Sequence, residues 1–279
     1  MSTSKETQGQ KGKLLSADAR QKLLAFASLI GLMAFFSFAS PSFMQIDNIM
    51  GILQSTAVNG VLAIACTFII ITAGIDLAVG TLMTFCAVMT GVVLVYWELP
   101  FVLGIAAAIL TGAFIGAVNG TMIAKMKIPP FIATLGMMML LKGLSLVVSG
   151  TKPIYFSDVE QFGIISQESL IGYFIPSMPI PNAVLILFLV ALLGAFILNK
   201  TILGTYTFAL GSNEEAVRLS GVNVDSWKII VYSFAGALCG IAGLMIASRL
   251  NSAQPALGPG YELDAIAAVV IGGTSLAGG

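Results

Sequence analysis

Phe101–Ala124, FVLGIAAAILTGAFIGAVNGTMIA, runs from end to end without a charged side chain. A helix needs about 20 such residues to cross the hydrocarbon core of a bilayer. The run starts after the turn Trp97-Glu98-Leu99-Pro100 and stops at Lys125, Lys127 and Pro129-Pro130. Its glycines fall four apart, Gly112 with Gly116 and Gly116 with Gly120, and Gly236 with Gly240 repeats the pattern later. That spacing lets helix backbones approach closely in lipid, so these glycines predict a compact bundle, not a site.

Other runs of the same kind lie on either side: about Leu23–Ala39, Ile49–Thr72, one that follows the link Ala73–Gly80 and reaches Tyr96, Phe131–Val148, Asn182–Leu198, Ile229–Ala247 and a last one from about Leu263. The chain is 57% hydrophobic and 9% charged, against roughly a quarter charged in soluble domains. Its mean hydropathy is +0.98. The fold class is therefore an all-α polytopic membrane protein with about eight transmembrane helices. Continuous apolar runs without alternation exclude a β-barrel. The last run is short of a full span at Gly279, so a C-terminally truncated chain is expected.

Net charge is zero, which gives no electrostatic case for nucleic acid. Cys66, Cys86 and Cys239 all lie in apolar runs and read as small buried hydrophobes. With no histidine, the commonest metal ligand and proton shuttle is missing, and no metal site is expected. The only Gly-Lys, Gly12-Lys13, is followed by Leu14, so there is no phosphate-cradling Walker motif.

Residues 1–22 are polar and basic and read as a cytoplasmic tail ahead of a membrane domain over 23–279. Short loops rich in Lys and Arg stay on the cytoplasmic side. Parity then places the Lys125/Lys127 link and the loop 199–228 inside, and the acidic segment 149–181 outside as an external loop.

Three places in this frame invite a functional reading. In the loop 199–228, Ser212 and Asn213 can cap a helix whose first turn carries Glu214 and Glu215, where carboxylates suit the helix dipole. Arg218 follows, and Gly221 stands where a left-handed C-terminal cap belongs. Two turns are too few to be stable alone, so either the rest of this protein or a partner must hold this helix, and a partner is expected. Asp76, between Gly74 and Gly80, is a carboxylate between two apolar runs. It reads first as a cap of the following helix and second as a translocation ligand at a helix break. Asn59, Asn119 and Thr67 lie within spans and can bond a polar solute or, more commonly, another helix. Lys142, deep in the fifth run, has two readings, pairing with a carboxylate or snorkelling outward.

Thr72–Gly80 (TAGIDLAVG), Pro129–Gly136 (PPFIATLG), Ala209–Gly221 (ALGSNEEAVRLSG) and Gly260–Gly279 (GYELDAIAAVVIGGTSLAGG) together resemble the permease subunits of bacterial ABC sugar importers. The likeness is to the ribose/xylose/arabinose/galactose branch and reads closest to its ribose permeases. It implies an inner-membrane permease that translocates a monosaccharide and pairs with a second copy or a paralogue within the membrane lipid. It also implies a cytosolic ATPase subunit, which would bind ATP and Mg, and a periplasmic sugar-binding protein; this chain itself would hold no cofactor. The Asn213–Gly221 helix then resembles the coupling helix that docks in the ATPase. Two departures stand out: Thr205 where the family commonly has Arg, and an end at Gly279 where the family continues. The rival reading is a secondary, ion-coupled transporter using Asp76; a membrane-embedded enzyme lacks any motif.

Overall fold

The computed structural model describes residues 17–279, and side-chain surroundings from residue 23 onward. The expected tail therefore lies outside the described residues up to residue 16. Residues 17–22 already belong to the first helix, α1 (Ala17–Ala39).

Most of the described residues are helical. After α1 come α2 (Ile46–Ile71), α3 (Val79–Gly91, continued by a π-turn over Val92–Tyr96), α4 (Phe101–Ala124) and α5 (Pro130–Val148). Then follow a short α6 (Leu170–Phe174), α7 (Asn182–Lys200), α8 (Ile202–Leu219), α9 (Val224–Leu250) and α10 (Tyr261–Gly272). Among the described residues six are long and apolar enough to cross a membrane: α2, α3 with its π-turn, α4, α5, α7 and α9. The expected count of about eight is not confirmed by the described residues. The apolar part of α1, Leu23–Ala39, and the 12-residue α10 both fall short of spanning length.

Local chemistry sets the boundaries. Pro130 opens α5, where its missing N–H goes unneeded. Asn223 caps α9 by accepting from Ser226 N, and Asn251 closes it in the left-handed region, φ 49°. α3 is buried almost from end to end, whereas α4, α5 and α7 bury one side only. The core is built where α9 meets α2, α3 and α4. Along the α4–α9 crossing, a side chain on Gly112 would strike the Gly236 carbonyl, and one on Gly240 would strike that of Ala108. The small-residue spacing of both runs is thus one shared contact surface.

The segment 149–181 is more than a polar loop. Strand β1 (Ile154–Tyr155) pairs antiparallel with β2 (Ser252–Ala253), Ile154 opposite Ala253. Ser248 Oγ donates to Phe162 O at 2.6 Å, and Gln167 Nε2 donates to Ser248 O at 2.6 Å. Phe156 and Phe162 stack at 3.8 Å over Val88, Val92 and Ala247. The segment is a folded cap on the ends of α3 and α9, because its few large apolar residues find a second small core there.

Candidate functional site

Two places at the other end of the bundle gather the chemistry. The first is the link between α2 and α3. α2 ends at Thr72, Ala73 takes a left-handed turn (φ 59°), and the chain re-enters the bundle. Asp76 is 5% exposed there. Its Oδ1 accepts from Ala78 N at 2.7 Å and closes a turn just ahead of α3, whose N-cap is Ala78 itself and has no side-chain cap bond. Leu77 N donates to Thr134 Oγ1 at 3.1 Å, one turn into α5, and Tyr232 Oη of α9 donates to Ile75 O at 3.3 Å. The link is therefore tied to two other helices inside the protein. Sequence parity puts such a link at the membrane surface; the structure buries it.

α10 begins in the same neighbourhood and in the same manner. Glu262, 8% exposed, accepts from Gly260 N at 3.1 and 3.0 Å through its two oxygens. A side chain on Gly80 would strike the Gly258 carbonyl and come within 2.9 Å of Glu262 Oε2. Gly74 has Tyr232 Oη 2.6 Å from where its Cβ would stand. Both glycines flanking Asp76 are thus required by close approach. Two helix starts, each with its carboxylate bonded to a backbone N–H, abut inside the bundle, an arrangement the helix dipoles favour. They come from Thr72–Gly80 and Gly260–Gly279, stretches far apart in the chain. The burial of Glu262 has no warning in the sequence beyond its place after Gly260.

Asn119 is fully buried in α4 beside the Asp76 carboxylate in the link after α2, and neither its Oδ1 nor its Nδ2 makes a well-formed hydrogen bond. Asn59 has an unpartnered Oδ1 as well. It stands twelve residues before Ile71, about 18 Å along α2, so the two asparagines do not form one site. Thr67 bonds back to Ala63 O of its own helix at 2.8 Å. Lys142 is exposed on α5.

The second place is α8. The helix breaks at Asn213 (φ −161°, ψ 95°), and its last turns form a separate short helix. Asn213 Oδ1 accepts from Ala216 N at 2.9 Å, the capping bond expected of it, and Gly221 takes φ +83°. Glu214 turns back toward α9: Lys228 Nζ lies 2.6 Å from its Oε2 and Arg218 Nη2 lies 3.1 Å from its Oε1. Partial burial pushes the Glu214 carboxyl up, but Lys228 and then Arg218 outweigh it and hold it below the ordinary range. Glu215 and Leu219 point outward, Leu219 at 83% exposure. A cavity of about 400 Å³ lies between this helix and the Asp76 link, lined by Gly74, Gly211, Asn213, Lys228 and Tyr232.

Comparison with known proteins adds to this geometry. Residues 48–279 match the family described as "Branched-chain amino acid transport system / permease component". The chain is 46% identical to the ribose import permease protein of Escherichia coli (strain K12) over 257 residues, 90% of this chain and 77% of that protein. It is 40% identical to the ribose import permease protein of Bacillus subtilis (strain 168), over 93% of this chain and 78% of that one. The xylose transport system permease protein of E. coli (strain K12) is 31% identical, over 93% of this chain and 80% of its own length. No solved structure matches the chain.

Proposed function

We propose a sugar-import role from one premise: the chain belongs to the branched-chain amino acid transport system / permease component family. It is a multi-pass membrane protein and a transport subunit, the permease of an ABC sugar importer. The observation that carries the substrate is the 46% identity to a ribose import permease across 90% of the chain. Ribose is the monosaccharide assigned, translocated across the bacterial inner membrane with the N-terminus in the cytoplasm. The Lys and Arg placement in the short loops supports that orientation.

In this reading a cytosolic ATPase subunit supplies the energy and binds ATP and Mg, and a periplasmic binding protein delivers the sugar. A second copy or a paralogue completes the pathway. The short helix Asn213–Leu219 is the part of the chain suited to meet the ATPase, since it projects Glu215 and Leu219 outward. Covering an exposed leucine side chain in a partner's pocket would contribute about 1.5–3 kcal/mol. The secondary-transporter alternative is not favoured, because the relatives are import permeases and the Asp76 carboxylate is already bonded to the Ala78 N–H in the turn before α3.

The test is uptake of labelled ribose by cells co-expressing the permease, an ATPase subunit and a binding protein. Leu219→Asp and Glu215→Arg are each expected to weaken co-purification of the ATPase about tenfold, the effect of losing about 1.4 kcal/mol of contact. Uptake should fall with it at unchanged membrane level. Wild-type capture and uptake in both variants would reject the docking role.

A further inference from the structure

Five charged side chains at the cytoplasmic end form an alternating chain of ion pairs. Lys228 pairs with Glu214 at 2.6 Å, Glu214 with Arg218 at 3.1 Å, Arg218 with Asp225 at 3.6 Å, and Asp225 with Lys127 at 2.9 Å. They come from three segments: the α4–α5 link, the short helix after Asn213, and the first turns of α9. A lone surface pair contributes little, but a connected set sharing its carboxylates is the exception. Glu214 uses both its oxygens and Asp225 receives two cations on one. Lys228 is the least hydrated member, its side chain 19% exposed. Asp225 is also well placed in the first turn of α9, where a carboxylate favours the helix dipole.

The short helix needs such a hold. It is separated from the rest of α8 by the break at Asn213, and two turns do not sustain themselves. α9, in contrast, is locked along α4 by backbone-to-backbone contact at Gly112, Gly236 and Gly240. We propose that this ion-pair chain is a strap that makes the short helix move as one body with α9 and the α4–α5 link. Glu214 and Arg218 are then positioning residues. They hold the docking helix from behind and leave Glu215 and Leu219 for the partner. The transmission part of this proposal rests on the ATPase-docking reading above; the strap itself does not.

The experiment uses charge reversal in the full chain: Glu214→Lys, Lys228→Glu, and the two together, with Lys127→Asp, Asp225→Lys and their combination at the other end of the same ion-pair chain. Two readouts are taken, hydrogen exchange over residues 214–219 and ATP-driven ribose uptake per captured ATPase. Each single reversal is expected to raise exchange and to lower uptake at least about fivefold, since it sets like charges side by side. Each double reversal restores the swapped pair but sets a lysine beside Arg218, which lies 3.1 Å from Glu214 and 3.6 Å from Asp225. It should therefore recover part of both readouts and exceed the worse of its two single reversals, the signature of direct pairing. A strap is overturned if the singles exchange and transport like wild type. It is equally overturned if both double reversals, present at normal membrane level, fail to recover. If exchange follows the strap pattern while even the wild type captures no ATPase, the strap holds and the docking reading falls.

Discussion

At the scale of the residue, Asp76 is held by its surroundings more than by its neighbours in sequence. One oxygen accepts from Ala78 N, and the peptide groups beside it are tied to Thr134 and Tyr232. Asp76→Ala would leave a buried N–H without a partner, which costs about 1–3 kcal/mol. Asp76→Asn keeps an accepting oxygen. Thermal unfolding in detergent should therefore show a clear fall in Tm for the alanine variant and a small one for asparagine. Equal losses would mean the charge, not the bond, is what the site requires. The expectation that Asp76 caps the following helix came from its place before the apolar run; in the structure it closes the turn just ahead of α3, and Ala78 is the N-cap. Its burial could not be foreseen, because that depends on α5 and α9 closing over the link. Glu214 teaches the same lesson: its place in a first helical turn is legible, but its turn toward Lys228 is not.

At the scale of the element, spacing carried the most information. Glycines four apart in α4 and α9 read as close packing, and they meet each other across one crossing. Overpacking a filled contact costs about 1–3 kcal/mol, and more where the neighbour is backbone. Gly236→Val is expected to lower the yield of folded protein sharply, as its side chain would strike the Gly112 carbonyl. Gly136→Ala, on α5 with nothing near its Cβ position, should leave the yield unchanged. Size-exclusion of detergent-extracted protein compares the two, and equal yields would remove the crossing from the list of folding determinants. The helix from Asn213 was also legible, since capping is a local affair. The fold of 149–181 was not. Its polar composition hid Ile154, Phe156 and Phe162, which matter only because the ends of α3 and α9 offer them a small core.

At the scale of the whole molecule, the six spans make a compact body with a folded cap at one end and charged chemistry at the other. A permease driven by a separate ATPase should depend on nucleotide and not on an ion gradient. In inverted vesicles or proteoliposomes holding the assembled importer, ribose transport is expected to need ATP and to survive an ionophore. Transport that persisted without the ATPase and collapsed with the gradient would reinstate the ion-coupled alternative. The sequence by itself determined the membrane class, the approximate placement of the spans, the capped helix at Asn213 and the family likeness. All of these rest on hydrophobic runs, capping residues and contiguous motifs, which are local in the chain. Only the tertiary structure decided that six helices reach spanning length, that the helix starts at Asp76 and Glu262 abut, and that Glu214 faces inward. Those outcomes depend on which distant backbones approach closely enough to bury a carboxylate or pair a charge, and no local pattern records that.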